Sequence, residues 1–148
     1  MVHIGTHAEN AIEAINPYAI QKDVKINLND FDNVEINADP GDMEILFNNL
    51  ISNAVKYNID NGTVDVILKA EKGKVKIHVK DTGIGMDESE ANQLFDEFFR
   101  VKNEQTKHIT GSGLGLTIVK RFIDLYNGEI NVESKVGIGS TFTILLPM

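Results

Sequence analysis

The chain has 148 residues, of which 42% are apolar and 24% charged, values typical of one soluble globular domain with a single core. Its formal net charge of -8 argues against a nucleic-acid-binding or anionic-membrane surface, and the absence of cysteine excludes disulfides and thiolate metal sites. No apolar run is long enough to span a bilayer and no signal peptide opens the chain. The lack of cysteine fits a reducing cytoplasm, so we expect a cytoplasmic domain and leave open whether the parent protein is anchored in a membrane.

The first third of the chain mixes helical and strand-like patterns. Residues 1–9 lack a clear period and are predicted to be a linker remnant, a disordered terminus or a fraying helix end, and the domain proper is predicted over 10–148. Residues 10–20 have helical spacing, whereas residues 24–28 and 34–36 alternate as strands do. Asp39-Pro40 then predicts a helix start, because an N-cap aspartate precedes proline at the first helical position.

The rest of the chain is dominated by hairpins. Residues 63–70 and 74–80 alternate strictly around Lys72-Gly73, which predicts a hairpin with one buried face. Asp87 and Glu90 form a predicted capping box for a short helix that runs through Leu94 and Phe95. The remaining predicted elements are a polar loop over 101–111, a helix over 114–126 and a hairpin of 129–134 with 140–146. This order predicts an α+β layered domain rather than a parallel βαβ array.

Three polar side chains share one face of the helix that begins near Pro40. Asn49, Asn53 and Lys56 are spaced four and three residues apart, beside the apolar stripe of that helix. A solvated amphipathic face is one interpretation. The other is a magnesium–phosphate site, because Mg²⁺ takes oxygen ligands and keeps several waters and substrate phosphates around it.

A glycine-containing segment, Asp81-Thr82-Gly83-Ile84-Gly85-Met86, follows a predicted strand directly. It fits a tight turn, since Asp and Gly are common turn residues. It also fits a purine-binding edge, because an ionised carboxylate accepts hydrogen bonds only and therefore suits the exocyclic amine of adenine but not the carbonyl of guanine.

A second glycine-rich segment, Gly111-Ser112-Gly113-Leu114-Gly115-Leu116, opens a predicted helix. Backbone amides at a helix N-terminus present donors and positive partial charge to a phosphate. The segment does not match the dinucleotide fingerprint, because no glycine stands three positions after Gly113, and it lacks the Gly-Lys-Ser/Thr of a P-loop.

Taken in order, four segments resemble the N, G1, F and G2 boxes of the histidine-kinase catalytic domain: 49–57, 81–85, 95–100 and 111–116. That domain belongs to the GHKL superfamily, which it shares with gyrase, the heat-shock chaperone ATPase and the mismatch-repair ATPase. The resemblance covers residues 10–147. It implies a Bergerat fold, a two-layer α/β sandwich in which helices cover one face of a mixed, mostly antiparallel sheet.

The resemblance also implies roles for single residues. Asn53 matches the magnesium ligand with Asn49 beside it, Lys56 matches a phosphate-contacting lysine, and Asp81 matches the adenine-reading carboxylate. The other residues that it implies for ATP binding are Tyr57, Gly83, Ile84, Gly85, Met86, Arg100, Lys107, Gly111, Ser112, Gly113, Leu114, Gly115, Leu116 and Thr141. Residues 101–112 match the ATP lid, and Met86 departs from the isoleucine common in the family.

One position separates kinases from hydrolases within the superfamily. The ATP-hydrolysing relatives place a glutamate, the general base for water, four residues before the metal-binding asparagine. Here that residue is Asn49, whose amide does not accept a proton at neutral pH, so transfer to a protein side chain is favoured over hydrolysis.

None of the four histidines, His3, His7, His78 and His108, lies in the phosphoacceptor pattern of the family. We therefore expect Mg-ATP binding by this chain, transfer to a histidine on a separate dimerisation and phosphoacceptor domain, and a downstream response regulator. A regulatory nucleotide-binding module without transfer activity and a GHKL ATPase are the alternatives.

Overall fold

The computed structural model describes residues 2–31, 34–95 and 115–148, apart from the side chains of residues 30 and 31. Four helices and seven strands lie in these ranges. In chain order they are β1 Val2–His3, α1 Ile4–Gln21, β2 Lys25–Phe31, β3 Glu35–Ile36, α2 Pro40–Lys56, β4 Thr63–Glu71, β5 Lys74–Asp81, α3 Glu88–Asn92, α4 Gly115–Leu125, β6 Glu129–Lys135 and β7 Gly139–Pro147. None of the described helices is both long enough and apolar enough to cross a membrane.

The main sheet has five strands in the order β2-β4-β5-β7-β6. β2 and β4 are parallel and the other neighbours are antiparallel, so the sheet is mixed and mostly antiparallel, as predicted. Alternate residues of β4 and β5 are fully buried, for example Val66 and Ile77, and they pack with Phe47 and Ile51 of α2 in one core. The intervening residues lie on the other face of the sheet, which gives the predicted two-layer arrangement.

Two local predictions from turn and cap chemistry are confirmed. Lys72 and Gly73 both have positive φ, 48° and 77°, which is the two-residue turn that matches the twist of a hairpin. Asp39 caps α2, because its Oδ1 accepts from the backbone amides of Gly41 at 2.7 Å and Asp42 at 3.2 Å.

Two boundaries differ from the prediction. Residues 2–9 are not irregular: Val2 pairs with Ile36, and Ile4 is fully buried at the start of α1 with its amide bonded to the carbonyl of Val34. Burial of apolar side chains therefore orders a segment whose own pattern is weak. The short helix α3 also ends at Asn92 rather than running through Leu94, because the amides of residues 93 and 94 bond three residues back, not four.

Tyr126 joins the end of α4 to the start of α2. Its hydroxyl accepts from the Asp39 amide at 3.0 Å and donates to the Asp42 carboxylate at 2.6 Å. We expect Tyr126→Phe to lower the free energy of unfolding by about 1–2 kcal/mol, because both hydrogen bonds are lost while the ring remains. Urea denaturation measures this difference, with Tyr18→Phe on the exposed side of α1 as the control. An unfolding midpoint of Tyr126→Phe equal to that of the wild type would contradict the assigned role.

Candidate functional site

Chemistry-bearing residues from distant parts of the sequence meet beside one end of the main sheet. The last two turns of α2 carry Asn49, Asn53 and Lys56, and β5 ends at Asp81. Gly115 begins α4, and the segment after β5 contacts the turn between β6 and β7. The described members of three predicted motifs therefore form one site.

Asp81 is the buried acid of this site. It is the last residue of β5 and is only 9% exposed. Its Oδ1 accepts hydrogen bonds from the amides of Gly83 at 2.9 Å and Ser140 at 3.2 Å. Burial raises the pKa of this carboxyl from 3.8 to about 6, and the two amide hydrogen bonds oppose that rise. Oδ1 accepts both of these hydrogen bonds, and no described residue donates to Oδ2, so Oδ2 is left for a ligand.

The segment that follows Asp81 is held very close to its neighbours. A methyl group on Gly83 would lie 2.3 Å from the carbonyl oxygen of Tyr57, so a side chain does not fit there. Gly85 has a φ of +70°, and a methyl group on it would lie 2.0 Å from the carbonyl oxygen of Lys135. Close backbone packing on the residue after α2 and on the β6–β7 turn therefore requires glycine at both positions, and their part in a pocket wall stays a prediction.

Apolar side chains form the wall of the site. Ile84, Met86 and Leu94 are buried in a small cluster separate from the main core. Partly buried neighbours complete it: Tyr57, Phe95, Leu116, Val132 and Phe142. Four residues that the resemblance assigns to ATP binding are in this cluster: Tyr57, Ile84, Met86 and, from α4, Leu116. A flat apolar ligand with a polar edge fits such a wall beside a carboxylate.

The polar face of α2 has free ligand groups. The Asn49 Nδ2 donates to the Ile45 carbonyl at 2.9 Å, and a methyl group on Gly115 would lie 2.7 Å from the Asn49 Oδ1. No described residue bonds to the side chain of Asn53 or Lys56, both half-buried. The start of α4 therefore lies against the helix face on which an amide oxygen and an ammonium group are available.

Thr141 does not lie beside Asp81. It pairs with Lys80 and Glu133, and because side chains alternate along a strand it lies on the face opposite Asp81. Ser140 takes that place: it pairs with Asp81 in the register, its amide bonds to the carboxylate, and it is only 8% exposed.

The sequence of β7 carries a signal for this placement. Phe142, Ile144 and Leu146 are directed to the core, so their alternation identifies the even-numbered residues of β7, Ser140 among them, as those on the Asp81 side of the sheet.

Ser134 is a second residue that the sequence did not reveal. Its Oγ accepts from the Met86 amide at 2.8 Å and lies 2.7 Å from the Ser140 Oγ. It also donates to the Gly139 carbonyl at 3.2 Å. A serine on the half-buried face of a strand, in line with Ile130 and Val132, gives no sequence signal for such a role. The predicted residues Arg100, Lys107, Gly111, Ser112, Gly113 and Leu114 lie outside the described residues and stay predictions.

Comparison with known sequences gives a consistent family. The model of the histidine kinase-, DNA gyrase B- and HSP90-like ATPase family matches residues 38–148. The sensor histidine kinase RcsC of Escherichia coli (strain K12) is 37% identical over 115 residues, which cover 78% of this chain and 12% of RcsC. The sensor histidine kinase YvrG of Bacillus subtilis (strain 168) is 37% identical over 140 residues, covering 93% of this chain and 24% of YvrG. The chain thus corresponds to a small part of these relatives.

Solved structures agree. The mycobacterial sensor histidine kinase MprB superposes with a TM-score of 0.82 at 23% identity, covering 99% of this chain and 95% of that one, a likeness that shows the fold. Full-length ShkA in complex with AMPPNP superposes with a TM-score of 0.83 at 28% identity, covering 99% of this chain and 30% of ShkA. The predicted Bergerat fold is confirmed. The chain belongs to the histidine kinase-, DNA gyrase B- and HSP90-like ATPase family, and within it to the ATP-binding catalytic domains of sensor histidine kinases.

Proposed function

We propose that this chain binds Mg-ATP and donates the γ-phosphoryl group to a histidine on a separate dimerisation and phosphoacceptor domain in two-component signalling. The observation that carries the proposal is Asp81, a buried carboxylate with one oxygen held by two amides and the other left for a ligand beside an apolar wall. A response regulator is the downstream partner in this proposal, and the cytoplasm is the compartment.

Asp81 suits adenine for a chemical reason. The ionised carboxylate accepts a hydrogen bond from the exocyclic amine of adenine, whereas the carbonyl at that position of guanine or hypoxanthine would face it with no proton between them. Leaving the buried carboxylate unpaired costs about 1–3 kcal/mol. Selection of the base therefore follows from one side chain, and the rings of the purine pack on the Ile84–Met86–Leu94 cluster.

The polar face of α2 suits the phosphates. In the described residues there is no group of three or more His, Asp or Glu side chains that could hold a metal ion. An ion here would therefore depend on the oxygens of the nucleotide. Asn53 would supply one neutral amide oxygen, a donor that fits Mg²⁺, and the bound ion would neutralise charge on the phosphates. Lys56 extends from the next turn of the same face as a second cation for them.

Transfer to histidine is supported over hydrolysis by Asn49. Its amide has no basic atom, and its Nδ2 is already bonded to the Ile45 carbonyl. A neutral imidazole needs no such base from this chain, because its nitrogen lone pair attacks the γ-phosphorus while the bond to the bridging oxygen breaks and ADP leaves. The proton on the other ring nitrogen would then pass to solvent or to a base on the acceptor domain. The chain then has to position the nucleotide and balance its charge.

The proposal is tested by mixing the chain with the matching dimerisation and phosphoacceptor domain and labelled ATP. We expect acid-labile, base-stable phosphate on that domain and none on this chain alone. ATP binding without transfer to any cognate acceptor would favour a regulatory nucleotide-binding module. Steady phosphate release that survives Asn49→Ala but is lost in Asn53→Ala would favour an ATPase.

A pH dependence follows from the raised pKa of Asp81. The carboxylate reads adenine only when ionised, so the preference for Mg-ATP over Mg-ITP should be greatest above pH 7 and fall as the pH drops through about 6. The protonated acid would donate to the hypoxanthine carbonyl, which reduces the preference further. Calorimetric titration of both nucleotides between pH 5.5 and 7.5 measures the ratio. Since their phosphates titrate alike, a ratio independent of pH would contradict the assignment.

A further inference from the structure

A pair of polar side chains, one buried and one half-buried, joins the end of α2 to the segment that carries Asp81. Asn58 lies two residues after the end of α2 and is only 8% exposed. Thr82 directly follows Asp81 and is half-buried. The Thr82 hydroxyl donates to the Asn58 Oδ1 at 3.1 Å, across 24 residues of sequence. Neither residue belongs to the set to which the sequence motifs gave a binding role.

Each polar atom of the Asn58–Thr82 pair has a partner. The Asn58 Nδ2 donates to the Thr63 carbonyl at 3.0 Å, and its Oδ1 also accepts from the Ile59 amide at 2.9 Å. The Thr82 hydroxyl accepts from the Thr63 amide at 2.9 Å and has a longer contact of 3.5 Å with the Thr63 carbonyl. A network in which each polar side-chain atom has a partner fixes the relative positions of its members.

Packing leaves little freedom around the pair. A methyl group on Gly62 would lie 2.0 Å from the Asn58 Oδ1, so the loop before β4 is pressed against the amide. Next to the pair, the Ile84 amide donates to the Tyr57 carbonyl at 3.0 Å. The helix end that carries Asn53 and Lys56 is therefore bonded to the residues on both sides of Gly83, whose amide holds Asp81.

We propose that Asn58 and Thr82 are positioning residues that set the base specificity of this site. They hold the Asp81 carboxylate at a fixed distance and direction relative to the phosphate-binding face of α2. A hydrogen bond weakens steeply when its direction is wrong, whereas phosphate contacts with an ammonium group or a metal tolerate small shifts. Loss of the pair should therefore weaken recognition of the adenine amine more than binding of the triphosphate. This inference rests on the proposed function.

The experiment compares calorimetric dissociation constants of Mg-ATP and Mg-ITP for the wild-type chain and Thr82→Val. The variant keeps the shape of the side chain but loses the hydroxyl. We expect its Kd for ATP to rise at least about fivefold and its Kd for ITP to change less than about twofold. Thr82→Ser, which restores the hydroxyl, should restore the preference for ATP.

The matched control is Thr143→Val. Its hydroxyl lies 3.0 Å from the His78 Nδ1 on the opposite face of the same sheet, so this change removes a comparable hydrogen bond far from the nucleotide. We expect an unchanged ratio of the two dissociation constants. An equal loss of preference in Thr143→Val would show that the ratio reports general stability, and it would overturn the proposal.

The positioning role of Asn58 and Thr82 and the recognition of adenine by Asp81 can fail separately. A folded Thr82→Val that discriminates as the wild type does would overturn the positioning role alone. If Thr82→Val does not fold, Asn58→Ser takes its place, since it loses the donor to the Thr63 carbonyl; an unchanged ratio there overturns the role equally. A wild-type chain that binds neither nucleotide, or both alike, would overturn adenine recognition itself and this inference with it.

Discussion

Asp81→Asn is expected to lose ATP binding while making the nucleotide-free protein more stable. The asparagine Oδ1 still accepts from the amides of Gly83 and Ser140, so the local backbone keeps its bonds. The second position, however, becomes an NH₂ group that faces the adenine amine, donor against donor. We expect a roughly 10- to 100-fold weaker affinity for Mg-ATP, which corresponds to the loss of a charge-assisted hydrogen bond to a buried group.

The gain in stability follows from the same burial. Because the folded-state pKa is raised to about 6 from 3.8, the folded protein binds more protons than the unfolded chain between these values. The contribution of the Asp81 carboxyl to the free energy of unfolding is therefore highest in acid and is lost as the pH rises through about 6. The neutral amide has no such loss of stability at high pH. At pH 7.5 the free energy of unfolding of Asp81→Asn should therefore exceed that of the wild type by about 2–3 kcal/mol, and its melting temperature should be higher.

Thermal unfolding with and without Mg-ATP measures both effects in one experiment. The wild type should show a clear rise in melting temperature with the nucleotide, whereas Asp81→Asn should start higher and rise little. Asp124→Asn is the control, since that carboxylate is on the exposed face of α4 and pairs only with Lys120 at 2.9 Å among the described contacts. Unchanged ATP affinity in Asp81→Asn would remove Asp81 from the site.

The fold was predictable wherever local chemistry and burial agree. The Asp39-Pro40 cap, the Lys72-Gly73 turn and the two hairpins are set by residues adjacent in sequence, and each is present. The start of α1 was not predictable, because its order depends on the pairing of Val2 with Ile36 and on the burial of Ile4 against distant residues. Long-range packing there overrides a weak local pattern.

The site was predictable as far as the motifs extend. Asn49, Asn53 and Lys56 share a helix face, and Asp81 with its glycines follows a strand, so spacing alone indicates their grouping. Their partners are different. Ser140 was missed in favour of the next residue, because a one-residue change in register reverses which side chain meets Asp81. Asn58, Thr82 and Ser134 act through hydrogen bonds to residues far away in sequence, and no periodicity reports those bonds.

Asn53→Ala is expected to have the largest effect on phosphotransfer. On the polar face of α2 the Asn53 amide has no protein partner among the described residues, in contrast to Asn49, whose Nδ2 is bonded to the Ile45 carbonyl. That is the expected state of a side chain whose partner is a ligand. Removing this side chain should lower the rate of histidine phosphorylation at least about 100-fold. The chain contributes to catalysis mainly by positioning the nucleotide, and a small misplacement of the metal and the phosphates has an effect of that size.

The same variant should change binding in a way that identifies the lost group. Magnesium should strengthen ATP binding to the wild type but much less to Asn53→Ala, while metal-free ATP and adenosine bind both chains alike, because Asp81 and the apolar wall are unchanged. Asn131→Ala, on an exposed strand position, is the control. Equal magnesium dependence in the wild type and Asn53→Ala would move the metal ligand to another residue, and the assignment of this helix face to the phosphates would then rest on Lys56 alone.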